Sequence, residues 1–261
     1  MSGCHEASWC TLGIHIFDGS EPRCAEGGPI VYLAAVPRDE VRILDTWHTL
    51  GMRGTGSHDV EVENVFVPER RVTIMAPAEA RPSVHKGPLY EMSLWAAAPL
   101  IGAVTIGIAS AALEEVLEVA RRKTPAYMKV GLRDRDYVHT QIARARAKIG
   151  AARAKIGAAR AYLHQSVRDA WSTACAGERL DPEQKIEIQL ATSHANLTSA
   201  EAVDVLHDVA GATAIRNQYP LERHFRDIHT LTQHAFGSTS RLESSGRLML
   251  GLENNWGFFV F

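Results

Sequence analysis

Two periods of hydrophobic repetition run along the chain, and one gives way to the other near residue 83. Before that point Leu12, Ile14 and Ile16 alternate with other residues, a continuous apolar run from Ile30 to Val36 stops at Pro37, and Val60 and Val62 alternate with Asp59, Glu61 and Glu63. A period of two places alternate side chains on one face, so these segments are predicted strands. Asp18-Gly19-Ser20, Glu26-Gly27-Gly28-Pro29 and the stretch from Gly51 to Ser57 supply the turn chemistry between them. Residues 1–82 are expected to form a small antiparallel β unit.

Beyond it the spacing is helical. Leu113, Val116, Leu117 and Ala120 fall at i, i+3, i+4 and i+7, and Val203, Leu206, Val209 and Ala210 line a similar stripe. Helices are expected at about 89–123, 135–173, 182–211, 220–233 and 238–252. Asp181-Pro182 pairs an N-cap with a proline at the first helical position, and Gly211 suits a C-cap. Long helices with short links pack as an antiparallel bundle, so residues 83–261 complete an α+β chain with a bundle behind an incomplete β domain.

The segment Arg146-Ala147-Lys148-Ile149-Gly150-Ala151-Ala152 is repeated identically from Arg153 to Ala159. Seven residues are nearly two turns, so the duplication lengthens a helix by about 10.5 Å and rotates its downstream face by only about 20°. Its Arg and Lys read as a solvated face, and Gly150 and Gly157 suggest a close helix approach.

Composition then narrows the function. The 261 residues are 46% hydrophobic and 22% charged, an ordinary globular balance. Lys+Arg 28 against Asp+Glu 30 leaves no basic excess to offset a nucleic-acid backbone. Four cysteines without a CxxC pair read as free thiols in a reducing compartment, and the first residues lack the basic start and apolar run of a signal peptide. The stretch from Leu94 to Ala112 is interrupted by Pro99, Thr105 and Ser110, which makes it a poor bilayer span. A cytoplasmic protein without a nucleic-acid or membrane partner is expected. His224, His229 and His234 are five residues apart and so do not share a helix face as a metal pair would. No GxSxG occurs, and Gly54-Thr55-Gly56-Ser57 lacks the Gly-Lys-Ser/Thr ending of a P-loop.

Two blocks carry a family resemblance. The segment from Trp47 to Pro68, WHTLGMRGTGSHDVEVENVFVP, resembles the end of the β domain in the acyl-CoA dehydrogenase superfamily, and its Gly-Thr-Gly-Ser is similar to the flavin-dependent monooxygenase branch. Pro220-Leu221-Glu222-Arg223-His224-Phe225-Arg226-Asp227 resembles the Pro-x-x-Arg-x-x-Arg-Asp of the same superfamily. Ser2-Gly3-Cys4-His5-Glu6-Ala7-Ser8-Trp9 is similar to a Ser-Gly-x-x-x-Ala-x-Trp that lies inside that β domain, so the resemblance implies that an N-terminal helical domain is missing.

The resemblance also implies site residues. Ser2 falls where a hydroxyl faces the reactive nitrogen of the flavin and can donate to it, unless it is a frayed terminus. Arg122, with Thr124, resembles the Arg-Lys-Thr that holds the flavin diphosphate of a neighbouring subunit, the alternative being a solvated helix end; Gln141 is a further candidate for that site. His207 and Gly211 stand in the segment that approaches the partner's flavin through backbone, where a plain C-cap is the alternative, and Thr55 and Ser57 lie on a turn where they could face substrate. Counting on from Arg226-Asp227 by the interval at which dehydrogenases carry their catalytic Glu reaches Ala235. Its neighbour His234 matches the histidine that the monooxygenases use beside the flavin, either to take a phenol proton or to hydrogen-bond the oxygen-loaded flavin, with His229 as the fallback. The expected protein is thus the oxygenase component of a two-component monooxygenase. It would use reduced FMN or FAD from a flavin reductase to hydroxylate an aromatic or similar electron-rich small molecule, as a homotetramer. The alternatives are an acyl-CoA dehydrogenase-type flavoprotein and an inactive truncated bundle that only oligomerises.

Overall fold

Alternating positions in the first third become an antiparallel sheet. The computed structural model describes residues 1–25, 28–75, 87–122 and 136–257, and the chain divides into two units, Met1–Pro82 and Ser83–Phe261. In the first unit the described strands are β1 (Trp9–Ile14), β2 (Phe17–Asp18), β3 (Glu21–Pro22), β4 (Cys24–Ala25), β5 (Gly28–Pro29), β6 (Tyr32–Pro37), β7 (Arg42–Leu44), β8 (Asp59–Glu61) and β9 (Val72–Ile74). The order β1-β6-β9 makes a three-stranded sheet, while β2 with β3, β4 with β5, and β7 with β8 form separate ladders. Cys10 opposes Val36 across β1 and β6, and both are buried with Val41. That cross-strand pair centres the unit's apolar cluster.

The second unit contains α1 (Pro88–Glu91), α2 (Ala98–Arg122), α3 (Asp136–Cys175), α4 (Pro182–Ala210), α5 (Pro220–Leu231) and α6 (Ser240–Met249). Four of the expected helices are found with ends shifted by a few residues. The helix expected at 89–123 is instead broken: α1 gives way to a tight turn at Ser93–Ala96, with Ser93 in left-handed backbone (φ 52°), before α2 begins. Pro99 accounts for the restart, because a proline lacks the N–H that a helix interior needs but fits in the first turn. The α4 start is fixed by a capping box in which Asp181 accepts from the Gln184 amide at 2.7 Å and the Gln184 side chain accepts from the Asp181 amide.

Helix α4 carries the core. Its Val203 and Leu206 are fully buried in one cluster with Val116 of α2, Leu163 of α3, and Leu221 and Ile228 of α5. Ile186 and Ile188 join a second cluster with Met92, Trp95, Ala170 and Ala174. Each such large side chain contributes roughly 1.5–3 kcal/mol by leaving water. Close approach occurs at Gly102, where a Cβ would meet Leu163 at 3.0 Å and Ala195 at 3.2 Å. It does not occur at Gly150 and Gly157. Both are exposed, and a Cβ on either would meet nothing within 4 Å, so the repeat's glycines mark an open face.

By length and composition alone, Ser93–Val119 is long and apolar enough to cross a membrane. Its interruptions are absorbed locally: Thr105 donates to the Gly102 carbonyl at 2.9 Å and Ser110 to that of Ile106 at 2.7 Å. Ile106, Ala109, Ala112, Leu113 and Val116 are buried within the helical unit, as in a core helix.

Candidate active site

In the β unit, Ser2, Thr55 and Ser57 meet on the glycine-rich turn. Met52 (φ 53°) and Gly56 (φ 49°) both adopt left-handed backbone around the tight turn Arg53–Thr55. The Gly3 amide donates to the Thr55 carbonyl at 2.7 Å, and the buried Cys4 thiol to that of Gly56 at 3.3 Å, so the first residues are tied to the turn. Three hydroxyls then line up: Ser2 Oγ lies 2.7 Å from Ser57 Oγ, which lies 2.7 Å from Thr55 Oγ1. Thr55 donates its proton to the Met52 carbonyl at 2.8 Å. A hydroxyl has one proton to give, so Ser57 donates to Thr55 and Ser2 donates to Ser57. In that arrangement Ser2 gives its proton to Ser57 and keeps its lone pairs as acceptors.

On the bundle, α4 and α5 gather a separate aromatic group. The Phe225 ring lies 4.5 Å from His207 and 4.5 Å from His229. His229 Nε2 lies 2.8 Å from Asp204 Oδ1. The α5 helix that presents these groups starts at Pro220 with no cap from its own N-cap residue Tyr219. Near that helix start, desolvation pushes the Glu115 carboxyl of α2 above its usual range, against the opposing pull of the Leu221 amide and Arg223.

His234 belongs to neither cluster. It follows α5 in a short turn, where the Phe236 amide donates to its Nδ1 at 3.2 Å and the Phe236 ring stacks on it at 5.9 Å. With Nδ1 engaged as an acceptor, the neutral ring carries its proton on Nε2. Desolvation also holds its pKa below the ordinary histidine value, favouring that neutral form. In this arrangement Nδ1 is occupied and the neutral ring offers its Nε2–H as a donor.

Residues 99–239, more than half of the chain, match the model of the acyl-CoA dehydrogenase C-terminal domain. The chain belongs to that acyl-CoA dehydrogenase family. An indole-3-acetate monooxygenase from Pseudomonas putida is 30% identical over 233 residues, covering 89% of this chain and 57% of its own length. The flavin-dependent monooxygenase oxygenase subunit HsaA of Rhodococcus jostii is 31% identical over 250 residues, 92% of this chain and 61% of that protein. The structure of XiaF from Streptomyces sp., in complex with FADH2 and glycerol, superposes with a TM-score of 0.77 at 27% identity, covering 98% of this chain and 63% of XiaF. This acyl-CoA dehydrogenase family member thus spans less than two thirds of each of these relatives.

The remaining candidate residues of the family chain are spread over helix ends. Arg122 closes α2, largely exposed and ion-paired with Glu118 one turn earlier. Gly211 ends α4 with φ 57° and is exposed, as a backbone must be to meet a ligand. An exposed guanidinium suits a diphosphate, whereas the Gly211 amide is already engaged by the Asp208 and His207 carbonyls. Thr124 lies outside the described residues, as does the side chain of Gln141 on α3. Pattern reading missed Asn196 and Gln189, fully buried on α4, which hold the His234 turn. Their signal was available as polar residues on a helix face that should be apolar.

Proposed function

We propose that this chain works in the oxygenase component of a two-component flavin-dependent monooxygenase that hydroxylates an aromatic or similar electron-rich small molecule. The observation that carries the reading is the pair His234-Ala235: a neutral ring fixed as a donor beside a residue that cannot remove a substrate proton. The relatives named for flavin-dependent or indole-3-acetate oxygenation support it. Bound reduced flavin would supply the electrons with which O2 is activated and one oxygen atom is transferred to substrate.

The chain's own residues divide the remaining work. Arg122 would hold the diphosphate of a neighbouring subunit's flavin in a homotetramer, with Thr124, Gln141, His207 and Gly211 near it. Ser2, fixed by Ser57 and Thr55, would accept a hydrogen bond from a ring N–H of the reduced flavin. His234 Nε2–H would donate to developing negative charge on oxygen. A separate flavin reductase would deliver the reduced cofactor, and His229 with Thr55 and Ser57 would line the substrate side, in a cytoplasmic setting consistent with four free cysteines.

The test compares two variants. With a family helical domain fused ahead of Ser2, His234→Ala should lower hydroxylation about 10²–10³-fold, the usual effect of losing an oriented donor, and spare flavin binding. His234→Gln, which retains an N–H donor, should recover part of that loss. Equal loss in both variants would instead assign His234 a proton-accepting role, and no loss in either would remove it from the reaction.

A further inference from the structure

We propose that Gln189 and Asn196, two carboxamides on the buried face of α4, are positioning residues that fix which ring nitrogen of His234 carries the proton. The inference rests on reading His234 as a donor, and it concerns side chains to which neither the family resemblance nor the proposed reaction assigns a role.

The segment from Leu231 to Gly237 is a succession of turns: the His234 amide donates to the Leu231 carbonyl at 3.0 Å, and the Gly237 amide to that of His234 at 2.9 Å. Such a segment has no ladder to hold it, and α4 takes that role. Asn196 Nδ2 donates to the Leu231 carbonyl at 3.1 Å and to the Gly237 carbonyl at 3.0 Å, so one amide group pins both ends. Gln189 Nε2 donates to the Phe236 carbonyl at 2.7 Å and to Ser193 Oγ at 3.0 Å. Phe236 is the residue whose own amide engages His234 Nδ1. Three of these four acceptors are carbonyl oxygens, which cannot donate, so the orientation of both carboxamides is unambiguous.

The amide oxygens point the same way. Gln189 Oε1 and Asn196 Oδ1 are buried without a partner. Each carboxamide thus leaves its oxygen unpaired and directs both of its donated bonds from α4, three of the four reaching the carbonyls of the His234 turn. The fit is also tight: a Cβ at Gly237 would lie 2.5 Å from Asn196 Nδ2, so only glycine lets the turn come this close to α4.

Long-range proton–nitrogen NMR of protein labelled with ¹⁵N-histidine reads the tautomer directly, with the His234 signals assigned by their loss in His234→Gln. In the unaltered chain Nε2 should be protonated, Nδ1 should be the acceptor, and the titration midpoint should lie below about 6.5. Gln189→Met, close in volume but without donors, should keep its circular dichroism, mix the two tautomers and shift the midpoint upward. Asn196→Ala should do the same more strongly. A folded Gln189→Met or Asn196→Ala variant with tautomer and midpoint unchanged would overturn the proposal. So would an unaltered chain with the proton on Nδ1, which covers the case in which neither variant folds. These readouts need neither flavin nor turnover, so failure here is distinct from failure of the proposed reaction, which the hydroxylation assay measures.

Discussion

Protonating His234 would break the hydrogen bond that orients it, because Nδ1 can accept from the Phe236 amide only while unprotonated. Desolvation adds to that cost, and at His224 desolvation and the neighbouring Arg223 lower the pKa in the same direction. The unfolded chain takes up both protons near the ordinary value of about 6.5, while the folded chain resists them. The stability these two residues contribute is therefore fully present above about pH 6.5 and is lost as pH falls through their lower folded-state values. Denaturant titrations between pH 7.5 and 5 should show unfolding free energy declining with acid, and a His224→Gln, His234→Gln double variant should flatten the decline; an unchanged slope would contradict this account. The hydroxyl chain makes a second residue-scale prediction. Removing the middle member by Ser57→Ala frees the Ser2 proton and should weaken an acceptor contact to reduced flavin, whereas Ser57→Thr should preserve it, as judged by reduced-flavin affinity.

Among the elements, α3 tests how a helix absorbs duplicated sequence. Its described buried positions begin at Ile156 and continue through Ala159, Leu163, Ser166, Ala170 and Ala174, all C-terminal to the first copy of the repeat. Lys155 in the second copy pairs with Glu201 of α4. Deleting residues 146–152 leaves this face in register to within about 20°, so the melting temperature should move by no more than about 4 °C. A larger fall would show that the first copy is packed. The elements also divide by what pattern alone can read. Strand alternation in β1, the continuous apolar run of β6, the Asp181 cap and the stripe on α4 were legible because each signal is local. The break at Ser93 was not, since a single left-handed residue leaves no trace in hydrophobic spacing. The site was legible residue by residue but not as an arrangement: Ser2 meets Ser57 across 55 positions, and Asn196 meets Gly237 across 41. Only tertiary packing sets such pairs.

At the scale of the whole molecule, the proposed flavin contact at Arg122, with Gly211 near it, serves a neighbouring subunit, so affinity should follow assembly. Titrating reduced FMN and FAD across a range of protein concentrations, with sizing in parallel, should show binding only where the oligomer is present; tight binding by a monomer would contradict it. The central claim is oxygenation rather than dehydrogenation, and isotope labelling addresses it most directly. The chain, with a family helical domain fused ahead of Ser2, is given a flavin reductase, NADH, FAD, ¹⁸O2 and indole-3-acetate as an aromatic probe, and the product is weighed by mass spectrometry. The account predicts a hydroxylated product carrying one ¹⁸O atom, abolished by omitting the reductase. An unlabelled product, or oxidation of an acyl-CoA with an artificial electron acceptor in place of oxygen insertion, would contradict it.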